Sequence, residues 1–79
     1  HNAVCREHII MKVGNGPASR QPVIEIANLF RAKVVNVAES RLMLELTGEP
    51  EKIDSFIGLL QPYGVKEIVR TGISALERD

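Results

Sequence analysis

Cys5 and His8 stand three residues apart, a spacing at which a thiol and an imidazole can share a metal or act as nucleophile and base. On an extended strand those positions face opposite sides, and no second pair of ligands follows. Cys5 is better placed just ahead of a strand. Glu45 and Glu67 are lone carboxylates on different predicted strands, and a solvated or salt-bridged surface accounts for both. Gly14-Asn15-Gly16 lies between a predicted strand and a predicted helix start, where backbone N–H groups can cradle an anion or the carboxylate of an amino acid. It lacks the length and spacing of a phosphate loop, and a plain turn explains the same residues. No constellation for catalysis emerges, so function is sought in surfaces and in the elements that display them.

The longest such element is a hairpin. Val34-Val35-Asn36-Val37-Ala38 and Leu42-Met43-Leu44-Glu45-Leu46-Thr47 are rich in strand formers, and the second arm alternates cleanly. The break at Glu39-Ser40 lacks the Gly or Asn of a primed turn, so a loop across Ala38 to Arg41 built on a type I turn is expected. Before it, Arg6 to Val13 alternates as a first strand, and a helix follows from Ser19 as N-cap, with Val23, Ile26, Ala27 and Phe30 at helical spacing and an end near Arg31-Ala32. After it, Pro50 and the acidic Glu49 and Glu51 open a second helix whose stripe is Ile53, Phe56, Ile57 and Leu60. Val65 to Arg70 gives a last, edge strand, which Thr71-Gly72 should break.

The order βαββαβ predicts a ferredoxin-like α+β sandwich: one four-stranded antiparallel sheet in the order 4-1-3-2, with two helices on one face. The expected core is Ile9, Met11, Val13, Val35, Val37, Leu42, Leu44 and Leu46 against Val23, Ile26, Phe30, Ile53, Phe56 and Leu60. The opposite face would carry His8, Ile10, Lys12, Val34, Asn36, Met43, Glu45 and Thr47, with Ile10, Val34 and Met43 as an apolar patch suited to self-association.

Composition narrows the partners. The 79 residues make one small domain, for which help from a partner is expected. Ten basic and ten acidic residues cancel without a basic run, which argues against nucleic acid, and no apolar run is long enough to cross a bilayer. An RNA-recognition domain shares this element order, but the central strands lack the aromatic residues that stack bases. A single cysteine and no signal-peptide pattern predict a reducing, cytoplasmic setting. A chain beginning at His1 suggests a fragment of something longer.

The ordered set of short pieces resembles a known family. Arg6-Glu7 leads the strand to Lys12-Val13, Phe30-Arg31-Ala32 leads into Val34-Val35-Asn36-Val37, and Glu39-Ser40 precedes Glu45-Leu46-Thr47-Gly48. Lys52-Ile53-Asp54-Ser55-Phe56, Pro62-Tyr63-Gly64 and Glu67-Ile68-Val69-Arg70-Thr71-Gly72 complete it. Together they resemble the C-terminal domain of the small regulatory subunit of acetolactate synthase, departing at Asn36, where the family usually carries Asp.

That resemblance implies a non-catalytic domain that contacts and activates the large, catalytic subunit, transmits branched-chain amino-acid feedback, usually by valine, and pairs with its own copy. It also implies that the valine site lies in an N-terminal ACT domain not included in this sequence, and that thiamine diphosphate, flavin and magnesium belong to the catalytic subunit. No cofactor is expected here. Exposure and resemblance together nominate the tip at Glu39, Ser40 and Arg41, and the segment Arg70, Thr71 and Gly72, for the catalytic-subunit contact. The alternative is a free-standing ACT-type sensor with an amino acid held at a dimer interface near Gly14 to Ala18.

Overall fold

Alternating Ile9, Met11 and Val13 commit the start of the chain to a strand buried on one side. The computed structural model describes the backbone of residues 3–14 and 16–77 and the side chains of residues 6–14 and 16–70. Strand β1 runs Ala3–Gly14, earlier than alternation alone places it, because Ala3 to Glu7 pair with the end of the last strand. Cys5 therefore lies within β1, opposite Ala75, rather than ahead of it.

Helix α1 spans Arg20–Phe30. Ser19 holds the N-cap position, yet its hydroxyl does not cap the helix; Oγ accepts from the Gly16 N–H at 3.2 Å and turns back toward the Gly16 carbonyl at 3.4 Å. The helix stops at Arg31, whose φ of 59° is left-handed, a position glycine usually fills. The Ala32 N–H then closes on the Ala27 carbonyl at 2.8 Å.

Strands β2, Lys33–Val37, and β3, Arg41–Gly48, form the expected hairpin, tied at its tip by the Ala38 N–H on the Arg41 carbonyl at 2.9 Å. Helix α2, Pro50–Leu60, begins with an extended Glu49 and Pro50 at the first turn, where a missing N–H breaks no helical bond. A 3-10 turn, Gln61–Tyr63, and left-handed Gly64 (φ 86°) redirect the chain into β4, Val65–Glu77. The sheet is antiparallel throughout in the order β2-β3-β1-β4, the order expected from sequence.

Both helices cover one sheet face. Ile9, Met11, Val13, Leu42, Leu44, Leu46, Val23, Ala27, Ile53, Phe56 and Leu60 are buried there, with the Phe30 ring tilted against Phe56 at 5.2 Å between ring centroids. Ile26 and Phe30 are only half-buried, while Val23 and Ala27 of α1 are fully enclosed.

Two expectations fail at the sheet edges. Val35 and Val37, assigned to the core, are 46% and 59% exposed. A bulge between Val34 and Asn36 leaves Val35 out of the ladder, and β2 is an edge strand on which Val37 stays largely uncovered. Thr71-Gly72 does not end β4. Ile9 pairs with Arg70 and Glu7 with Ile73, so the two residues form a bulge and the ladder continues to Glu77.

Candidate interaction surface

Residues directly opposite in a ladder share a face, so the register assigns the uncovered side of the sheet. Two rows cross all four strands: Val69, Ile10, Glu45 and Lys33, then Glu67, Lys12, Met43 and Asn36. His8 lies beyond the first row, opposite Thr47. Two ion pairs lace the surface, His8 Nε2 to Glu45 at 2.8 Å and Lys12 Nζ to Glu67 at 3.2 Å. Between them Ile10 and Met43 are half-buried and Val69 is 49% exposed, an apolar strip bordered by charge.

The sequence-derived trio is thus divided. Ile10 and Met43 lie together, but Val34 pairs with Leu44 and belongs to the helix side of β2; the bulge at Val35 reverses the facing assumed from strict alternation. Val69 takes its place. Sequence alone left β4 ambiguous, since Val65, Glu67 and Val69 alternate with Lys66, Ile68 and Arg70 without a clean apolar set. Its pairing resolves this: Ile68 and Arg70 sit opposite Met11 and Ile9 on the helix side, and Glu67 and Val69 face outward.

Arg70 has a different task from the free surface contact expected of it. Its guanidinium donates to the buried Glu7 carboxylate and to Asp54 on α2 at 3.1 Å, joining β4, β1 and a helix. The bond to Glu7, then that to Asp54, holds its pKa above the ordinary arginine value, so it remains a cation at any working pH. Thr71 and Gly72 lie in the β4 bulge, and their side chains fall outside those described. Glu39, Ser40 and Arg41 at the hairpin tip are all exposed, and none forms an ion pair among the described residues.

In the glycine loop the two glycine N–H groups are already engaged. The Gly14 N–H donates to the Gly64 carbonyl at 3.0 Å and the Gly16 N–H to Ser19 Oγ at 3.2 Å. A Cβ on Gly14 would sit 2.9 Å from the Tyr63 carbonyl oxygen, so the glycine serves the approach of strand to turn. Asn15 lies outside the described residues. Among the described residues no cluster of three His, Cys, Asp or Glu can hold a metal, and no helix is long and apolar enough to cross a membrane.

These features define the class: a ferredoxin-like βαββαβ domain with helices on one sheet face and a mixed apolar and charged surface on the other. Residues 6–79 match the family described as the small subunit of acetolactate synthase. The chain is 43% identical over 77 residues to the acetolactate synthase small subunit of Mycolicibacterium smegmatis, covering 98% of this chain and 45% of that protein. To the Bacillus subtilis small subunit it is 44% identical over 75 residues, 95% of this chain and 44% of the relative. The crystal structure of the Thermotoga maritima small subunit superposes with a TM-score of 0.90 at 36% identity, over 98% of this chain and 47% of that one. The chain belongs to the acetolactate synthase small-subunit family, as its C-terminal domain, and spans about half the length of the relatives it matches.

Proposed function

We propose that this domain is a non-catalytic regulatory module that engages the acetolactate synthase catalytic subunit, raises its activity and relays valine feedback sensed elsewhere in the small subunit. The observation that carries the reading is the family match across residues 6–79. The open sheet face, an apolar strip bordered by ion pairs, supports the reading as a surface suited to association.

A domain of this kind changes catalysis only by contacting the active and inhibited arrangements of its partner with different free energy. Self-association uses the strip of Ile10, Met43 and Val69, whose half-buried side chains lose further apolar area to water when a second copy covers them. The hairpin tip at Glu39, Ser40 and Arg41 supplies the catalytic-subunit contact, with the β4 bulge at Thr71-Gly72 as a second point of attachment. Thiamine diphosphate, flavin and magnesium stay with the catalytic subunit, and the assembly works in the cytoplasm.

The deciding experiment titrates purified catalytic subunit with this chain and follows acetolactate formation with and without valine. Activation that valine does not reverse is expected. Neither activation nor binding by sedimentation would remove the catalytic-subunit contact from these residues.

A further inference from the structure

Beside the hairpin tip, the open face carries a cleft of ≈ 230 Å³ lined by Lys12, Asn36, Ala38, Arg41, Leu42 and Met43. The register explains the grouping. Lys12 and Asn36 flank Met43 from β1 and β2 in one row, and Arg41, two residues before Met43 on β3, stands on the same face. Two cations therefore line the cleft and no carboxylate does. Lys12 Nζ also reaches Glu67 at 3.2 Å, on the β4 side and outside the lining. Arg41 is exposed and forms no ion pair among the described residues. In a chain whose formal charges cancel, Lys12 is shared with Glu67, and Arg41 stands at the cleft without an ion-pair partner among the described residues.

The rest of the lining decides what kind of anion fits. The Met43 thioether and the Ala38 methyl give it apolar surface, and Asn36 adds an amide that both donates and accepts. Inorganic phosphate would engage the cations and leave that surface wet. A neutral apolar molecule would leave Arg41 unanswered. At about 30 Å³ for a water-sized group, the cleft corresponds to roughly eight such groups, the scale of a small molecule.

We propose that this cleft binds a small organic monocarboxylate with a short apolar body. Its carboxylate meets the Arg41 guanidinium, with Lys12 as a second cation, and its carbon chain lies on Met43 and Ala38. The site uses residues of one chain only; Met43 and Arg41 also belong to the surfaces proposed above for self-association and for the catalytic-subunit contact, so a docked partner and the carboxylate compete for them. Arginine suits the task because its planar fork can donate two parallel bonds to one carboxylate.

The test is an NMR titration of the 79-residue chain with 3-methylbutanoate, run beside acetate, 3-methylbutan-1-ol and inorganic phosphate. Saturable shifts at the Met43 methyl, the Asn36 side-chain amide and the Arg41 Nε–H are expected for 3-methylbutanoate, with acetate, the alcohol and phosphate at least tenfold weaker. Arg41→Gln should weaken 3-methylbutanoate at least tenfold while preserving the dispersion of the amide spectrum; loss of one charge-assisted bond is of that order. Four results overturn the proposal: no saturable shift through the millimolar range, equal binding of the alcohol, equal binding of phosphate, or unchanged affinity in Arg41→Gln.

Discussion

Replacing Gly14 with alanine separates a structural glycine from a ligand-binding one. The new Cβ would lie 2.9 Å from the Tyr63 carbonyl oxygen, whereas ordinary contact begins near 3.4 Å. That oxygen is backbone in a 3-10 turn, fixed on one side by the Gly64 N–H on the Gln61 carbonyl at 3.1 Å and on the other by the Gly14 N–H on the Gly64 carbonyl at 3.0 Å. Strand and turn must therefore separate, at an overpacking cost of about 1–3 kcal/mol. Alanine returns about 0.4–1 kcal/mol by restricting the unfolded chain. From the middle of each range the net loss is about 1.3 kcal/mol, or a fall in Tm of roughly 5–10 °C for a domain this small. Gly58 provides the control, since it is exposed inside α2 and nothing lies within 4 Å of an added Cβ. Gly58→Ala should stabilise the protein by about 1 kcal/mol through helix propensity. Thermal and urea unfolding followed by circular dichroism measures both. A Tm for Gly14→Ala at or above that of the parent would refute the packing argument and return the loop to consideration as a ligand site.

Other substitutions probe the core, the ion-pair hub and the open face. Phe56→Ala removes a fully buried ring that packs on Phe30, and urea unfolding should show a loss of about 3–5 kcal/mol. Arg70→Ala should lower the urea midpoint further than Asp54→Ala, because the first strands the buried Glu7 carboxylate and the second removes an exposed partner; equal midpoints would deny the hub its role. Met43→Asp places a charge in the apolar strip, and sedimentation should find the parent chain a dimer and the variant a folded monomer. Val35→Thr, at an exposed bulge, should change stability by no more than about 0.5 kcal/mol, against the several-fold larger loss a core valine would give.

Where periodicity was undisturbed, the sequence was a faithful guide. Leu42, Leu44 and Leu46 alternate without interruption and all three are buried, and the stripe of Ile53, Phe56 and Leu60 lands on the sheet as its spacing requires. The element order sufficed for the sheet order. Failures came where one residue was added to a strand or where burial depended on position in the sheet. Nothing in Val34-Val35-Asn36-Val37 marks a bulge, since the segment has no glycine and three good strand formers. A single extra residue there moved Val34 to the helix side and left Asn36 facing outward beside Met43. Thr71-Gly72 misled in the opposite sense: a glycine that suggested the end of a strand instead permits a bulge within one.

The same reasoning explains why the interaction surface was only half legible. Ile10 and Met43 could be placed from their own strands, because β1 and β3 are central and each has one face set by a buried alternating row. Val69 could not, because β4 is an edge strand whose composition satisfies neither facing. Its orientation is imposed by β1 through the pairing of Ile10 with Val69 and of Lys12 with Glu67, and by the Arg70 bond to Glu7 on the other side. Arg70, nominated for surface contact on exposure and resemblance, is engaged with a carboxylate 63 positions earlier in the chain. Facing at a sheet edge is a tertiary property, so the sides that Val69 and Arg70 take are decided by a neighbouring strand rather than by their own segment.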